Sequence, residues 1–153
     1  MPKFFTLTFK PVGKFRELSN SEAEKMGLRQ DKDMLTLCDP KRGAALSLAH
    51  KKSGFLSAIA DEKAVRLRLK RDYQKMYPEI TDPEDFEIAA AGKTRCAFRF
   101  RYKTAQGDFY SEVVSLVEKK HIYTITSSSS YRDKDTTHKA LVNLLKSLEI
   151  TAE

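Results

Sequence analysis

Residues 94–103 read Thr94-Arg95-Cys96-Ala97-Phe98-Arg99-Phe100-Arg101-Tyr102-Lys103. Apolar and basic side chains alternate along this stretch. Cys96, Phe98, Phe100 and Tyr102 fall on one side, and Arg95, Arg99, Arg101 and Lys103 on the other. A period of two is the mark of a strand with one buried and one wet face. Two further strands follow, Phe109–Glu118 and Ile122–Ser128. They are separated by the turns Ala105-Gln106-Gly107-Asp108 and Glu118-Lys119-Lys120-His121, where Gly107 suits a positive φ. In one register of this hairpin Arg99 faces Glu112, an opposite-charge cross-strand pair worth under about 1 kcal/mol. The stretch from Thr94 to Ser128 is therefore an antiparallel meander.

Working upstream, Phe4–Phe9 predicts a first strand, broken by Pro11-Val12-Gly13. Ser19 or Ser21 caps a short helix through Lys25 that ends near Gly27, and Ser19 with Glu22 has capping-box spacing. Met34–Cys38 and Ala44–Lys51 are strands around the turn Asp39-Pro40-Lys41-Arg42-Gly43. Leu46 and Leu48 point one way, and Ser47 and Ala49 the other. A long helix is predicted from Ala58 to Tyr77, with Ala58, Val65, Leu69, Tyr73 and Met76 on its apolar stripe and Leu67 off it. Pro78 stops it. Thr81-Asp82-Pro83-Glu84 reads as a loop, and Phe86–Ala90 as the start of another strand. Downstream, Ser127–Ser130 reads as a strand end running into a polar loop. Asp135 or Thr136 then caps a last helix, Thr137–Leu148. Its buried stripe is Thr137, Leu141, Leu144, Leu145 and Leu148, with Lys139, Asn143 and Lys146 in water. Short turns between strands imply an antiparallel sheet, and two amphipathic helices need an apolar surface to cover. The expected fold class is α+β, one layered domain over residues 1–153 with a sheet of six or seven strands.

Composition narrows the function classes. Of 153 residues, 41% are hydrophobic and 32% charged, with 6 Gly and 5 Pro, the mix of a soluble globular chain. The apolar runs are too short to span a bilayer, and the first residues lack the pattern of a signal peptide, so a cytoplasmic protein is expected. Cys38 and Cys96 lack metal or redox spacing and read as free buried thiols, with Cys38 the more exposed of the two. The net charge of +7 invites an anionic partner. However, residues 51–75 hold eight Lys/Arg against three Asp/Glu, while residues 79–87 hold five acids and no base. A basic helix followed by an acidic loop largely neutralises itself.

No catalytic, cofactor-binding or metal-ligating constellation emerges, so no enzyme and no cofactor are expected. His50, His121 and His138 share no ligand spacing and read as boundary histidines. The serine run sits in no nucleophile elbow, and the acids near Glu84 do not fit a calcium loop. The possible binding surface is basic and aromatic: Arg95, Arg99, Arg101, Lys103 and Tyr110 on the sheet, and Arg68, Arg71 and Lys75 on the long helix. Tyr123 is a second candidate stacking residue. Two functions fit. One is a non-enzymatic binding or scaffolding domain with a protein partner. The alternative is an anionic-polymer binder, which would take nucleic acid on the sheet face and basic helix. The sequence does not assign an oligomeric state.

The segment Lys93–Tyr102, the hairpin to Val113-Val114, and His121-Ile122-Tyr123-Thr124-Ile125-Thr126 followed by Ala140-Leu141 and Leu144–Leu148 resemble the PsbP-like superfamily, which includes DcrB-type domains and the Ran-binding nuclear-import factor Mog. Phe9–Phe15 and the turn Asp39–Gly43 fit its opening strand and first hairpin. The resemblance implies an α/β/α sandwich and a non-catalytic binding or scaffolding role. It carries over no individual binding residue. In such a sandwich both sheet faces are covered, and the arginine row becomes structural.

Overall fold

The meander forms as its alternation dictates. In the computed structural model, which describes residues 2–25, 32–52, 61–118 and 121–151, β6 (Thr81–Ala90), β7 (Lys93–Thr104), β8 (Gly107–Glu118) and β9 (His121–Ser130) pair consecutively and antiparallel. Asp39–Ala44 closes the hairpin of β4 (Met34–Asp39) and β5 (Ala44–Lys52), and β5 joins β9 to complete the sheet. A two-residue strand β3 (Arg16–Glu17) pairs with β4. The order is β3-β4-β5-β9-β8-β7-β6. A second sheet of three short strands holds β1 (Lys3–Phe4), β2 (Leu7–Thr8) and β10 (Glu149–Ile150). The chain is thus α+β, with a seven-stranded antiparallel sheet between helices.

The helices cover opposite faces. Helix α3 (Lys134–Ser147) lays Ala140, Leu141, Leu144 and Leu145 on Leu37, Leu46, Leu48, Val114, Leu116, Tyr123 and Ile125. Helix α2 (Glu62–Met76) lies on the other face, where Leu69 and Tyr73 pack on Phe98, Phe100 and Val113. α1 (Asn20–Lys25) contributes Ala23 to a small cluster with Leu18 and Cys38. The sheet therefore carries a helix on each face, as the sandwich requires.

Several expectations are corrected. Phe4–Phe9 is not one strand. Phe5 has φ 54°, so the chain reverses between β1 and β2. Thr81–Glu84 is not a loop but the start of β6, where the pairing register shifts between Thr81 and Glu84 around Pro83. Proline is tolerated there because β6 is an edge strand. The serine run stays in β9 to Ser130, which pairs with Phe109. A 3₁₀ turn, Tyr131–Asp133, then leads into α3 three residues earlier than expected. Asp61 caps α2, its side chain accepting from the Ala64 N–H at 2.8 Å, so this helix begins at Glu62; Ala58 lies outside the described residues. So do Gly27 and the turn residues Lys119 and Lys120. Met76 is 61% exposed rather than part of the apolar stripe, while Leu67, off the stripe, is 46% exposed. Cys38 is as buried as Cys96, and burial pushes both thiols up, away from the reactive range.

The capping box at α1 is present. The Glu22 N–H donates to Ser19 Oγ at 3.1 Å, and the Ser19 N–H donates to Glu22 Oε1 at 3.3 Å. Arg16 adds a two-pronged pair, Nη1 to Oε1 at 3.0 Å and Nη2 to Oε2 at 2.6 Å. Hydrogen bonds from Arg16 first, then from Ser19, hold the Glu22 carboxyl down at about 2. A carboxyl depressed in the folded state stabilises above its unfolded pKa, and loses that contribution as pH falls through the folded one. The α1 corner therefore weakens on acidification from about pH 4.3 towards about pH 2. Carboxyl-carbon NMR should place the Glu22 midpoint near 2, and Arg16→Ala should move it up towards the ordinary glutamate value. An unchanged midpoint in Arg16→Ala would contradict this assignment.

Candidate binding surface

The arginine row does not behave as one surface, because the sheet buries its two ends differently. Arg95 is 1% exposed. Its Nη1 donates to Glu62 Oε2 at 2.8 Å, Nη2 to Glu118 Oε1 at 2.7 Å, and Nε to the Ala90 carbonyl at 2.9 Å. Glu62 also accepts from the Val117 N–H at 3.0 Å, which ties the start of α2 to β8. Arg95 thus links helix and sheet and takes no part in an accessible surface.

Further along β7 the row opens. A register line crosses the sheet through Leu37, Leu46, Ser127, Glu112, Arg99 and Glu84. Its first residues lie under α3, and its last reach the edge beyond that helix. Arg99 does face Glu112, but the fully buried Glu112 carboxylate is held by His138 Nδ1 of α3 at 2.8 and 2.9 Å. Arg99 instead lies over the Phe86 ring, 4.4 Å from its centroid, and makes one bond of 3.3 Å to Glu84. Its Nε is buried without a hydrogen-bond partner. Burial disfavours its charge, but a hydrogen bond with Tyr110 and the nearby carboxylates raise its pKa on balance, so it stays a cation.

Arg101 stacks on Tyr131 at 3.8 Å and is held by the Asp108 carboxylate, which also depresses the Asp108 pKa. Lys134 Nζ sits 4.3 Å from the same ring and donates to the Tyr131 hydroxyl at 3.0 Å. That bond, then the Lys134 charge, lowers the Tyr131 pKa. Tyr110 packs edge-on against Tyr131, with centroids 6.2 Å apart. Together Thr81, Glu84, Arg99, Arg101, Tyr110, Tyr131 and Lys134 line an open pocket of about 440 Å³.

Of the residues singled out from sequence, Arg99, Arg101 and Tyr110 meet in this pocket. Lys103 is exposed at the hairpin end of β7, opposite Asp108. Arg68, Arg71 and Lys75 are exposed on α2, across the sheet from the pocket, so helix and sheet arginines do not form one patch. Tyr123 is fully buried, its hydroxyl at 2.6 Å from Thr6 Oγ1, and offers no stacking face. Tyr131, Lys134, Thr81 and Glu84 were missed. The serine run carries no alternation that would extend β9 to Ser130 and so bring Tyr131 beside Tyr110. Asp85, also on β6, accepts from Lys70 at 2.9 Å and sits 3.7 Å from Arg66.

His50 and His121 do meet, Nε2 to Nδ1 at 2.7 Å, with Phe5 stacked on His50 at 3.7 Å. Burial, then the His121 charge, lowers the His50 pKa. Among the described residues, no three His, Cys, Asp or Glu side chains converge as for a metal ion, and no helix is long and apolar enough to cross a membrane.

A seven-stranded antiparallel sheet with a long helix on each face is the PsbP/Mog1-like fold, and this chain has it. Yeast Mog1p, described as a Ran-binding protein, is similar over 95% of this chain and 90% of its own length (TM-score 0.62, 8% identity). Cyanobacterial PsbP (CyanoP) from Synechocystis is similar over 95% of this chain and 86% of its own (TM-score 0.55, 11% identity). A crystallised protein of Bacteroides thetaiotaomicron is similar over 97% of this chain (TM-score 0.66, 9% identity), and this chain spans only 46% of its length. No protein-family model and no curated protein sequence matches. At these identities the likeness concerns the fold.

Proposed function

We propose that this chain is a non-enzymatic cytoplasmic binding domain that engages a protein partner at the corner formed by Arg99, Arg101, Tyr110, Tyr131 and Lys134. One observation carries the reading. Arg95 and Glu112 are buried and paired inside the fold, whereas this corner keeps charged and aromatic groups half-exposed around a pocket. Arginine and tyrosine are the residues that anchor protein interfaces. Mog1p, which shares the fold, is described as Ran-binding. That supports a protein partner in general and names none here.

The competing reading, nucleic acid on a basic sheet face, loses its geometry. Tyr123 is buried, the α2 arginines lie across the sheet, and Glu84 stands at the rim. A photo-crosslinking amino acid placed at Thr81, on the rim, should give a discrete protein adduct in the producing cells, and the same group at Arg68 should not. Nucleic-acid adducts from Thr81, or none at all, would overturn the proposal.

A further inference from the structure

Neighbouring arginines on one strand differ sharply in how completely they are paired. Arg95 has two carboxylates and two backbone carbonyls. Arg101 has the Asp108 carboxylate on two of its nitrogens. Arg99, between them in the pocket, has one carboxylate contact, a 3.3 Å bond to Glu84, besides its hydrogen bond with Tyr110, and the Glu84 side chain is 67% exposed. The carboxylate opposite it in register, Glu112, is already taken by His138. Phe86 beneath and Tyr110 beside it fix the guanidinium plane, while its Nε is without a partner.

Resting on the protein-partner reading above, we infer that Arg99 is the seat for a carboxylate of an acidic peptide segment, and that Glu84 is an internal stand-in which such a carboxylate displaces. The charge of the corner selects the ligand. At the exposed rim Arg99, Arg101 and Lys134 are opposed by Glu84 and Asp108, which leaves one net positive charge there, while buried Glu112 is paired with His138. A carboxylate monoanion replaces the displaced Glu84 charge for charge, whereas a phosphate dianion brings one negative charge more than the group it displaces. A planar guanidinium also matches a carboxylate in two-pronged geometry, at roughly twice the strength of a neutral hydrogen bond. Lys134 and the Tyr110 and Tyr131 rings then flank the peptide beside its acidic side chain. The exchange is inexpensive because an exposed Arg–Glu pair contributes little.

The test is titration of the full chain at low salt with a labelled hexaglutamate peptide, with inorganic phosphate and oligothymidylate as parallel arms. Binding is read by fluorescence anisotropy for the labelled probes and by the Arg99 Nε–H NMR signal for all three. The peptide should bind and shift that signal. Glu84→Gln should tighten binding about two- to fivefold, the release of one exposed ion pair. Glu87→Gln, an identical charge change on the same strand but on the α2 side, should leave it unchanged. Arg99→Ala should weaken binding at least about tenfold, as expected for losing a charge-assisted bond, and should abolish the Glu84→Gln gain. The gain in Glu84→Gln keeps the inference testable even if Arg99→Ala folds poorly. Equal tightening by Glu84→Gln and Glu87→Gln would show a general charge effect and overturn it, as would shifts confined to Arg68 and Arg71 or preference for phosphate or oligothymidylate. The readouts are separable from the crosslinking result. Peptide binding without a cellular protein adduct would sink the partner reading and leave the carboxylate seat standing. An adduct without peptide binding would do the reverse.

Discussion

Arg95→Ala is expected to lower the unfolding free energy by about 3–5 kcal/mol, the cost of breaking a buried ion pair from one side. The guanidinium is 1% exposed and is the shared partner of Glu62 on α2 and Glu118 on β8. Its loss deprives two carboxylates, both under 20% exposed, of the buried cation between them and removes its bonds to two carbonyls. It also removes the charge that holds the first turn of α2 against the sheet. Arg95→Met with Glu62→Gln and Glu118→Gln should recover part of the loss, since the penalty lies in the stranded charges rather than in the missing attraction. Arg101→Ala, which breaks a half-exposed pair with Asp108, should cost no more than about 1 kcal/mol. Urea unfolding of the variants decides the matter: an Arg95→Ala midpoint close to wild type would mean that solvent reaches this cluster.

The second large effect is expected at α3. Leu144→Ala should cost about 2–5 kcal/mol, because Leu144 is fully buried between helix and sheet and its removal leaves a cavity. Leu67→Ala on α2 should stay within about 0.5 kcal/mol, since that side chain is 46% exposed and fills no core position. The pair separates burial from residue type. Equal losses at both positions, measured by the same unfolding curves, would contradict the packing described for α2.

The strands were legible wherever one face was apolar and the other polar. The Cys96–Tyr102 alternation made β7 legible, and the register read as one option, with Arg99 opposite Glu112, is the one present. The α3 stripe was legible for the same reason, as Thr137, Leu141, Leu144, Leu145 and Leu148 are all buried. Errors arose where strands carry polar or turn-forming residues. Ser127–Ser130 has no apolar member, yet it stays in the sheet because β8 supplies its partners. Thr81–Glu84 contains a proline that only an edge position tolerates. Phe4–Phe9 looks uniform, and nothing in its composition announces the reversal at Phe5.

The binding corner was half legible. Composition and alternation placed Arg99, Arg101 and Tyr110 on strands. Which arginine is consumed internally depends on Glu62, Glu118 and His138, which lie 33, 23 and 26 residues from the groups they bind. No local pattern encodes those pairings.

The strand order also has a kinetic consequence. From β6 to β9 each strand pairs with its sequence neighbour through a short turn, so this half of the sheet forms from local contacts. The closures that span the most chain are those of β5 with β9 and of β2 with β10. β5 must find β9, joining Ala45 to Ser128. The β2–β10 pairing joins Leu7 to Ile150, and the Thr151 N–H donates to the Thr6 carbonyl at 2.7 Å. Loop-closure entropy must be overcome before such contacts contribute. The order of assembly that follows is a meander first, the β4–β5 hairpin docked onto it, and the small sheet last. That small sheet is then a clasp that opens before the rest unfolds, and amide exchange in residues 3–8 and 149–151 should report its opening rather than global unfolding.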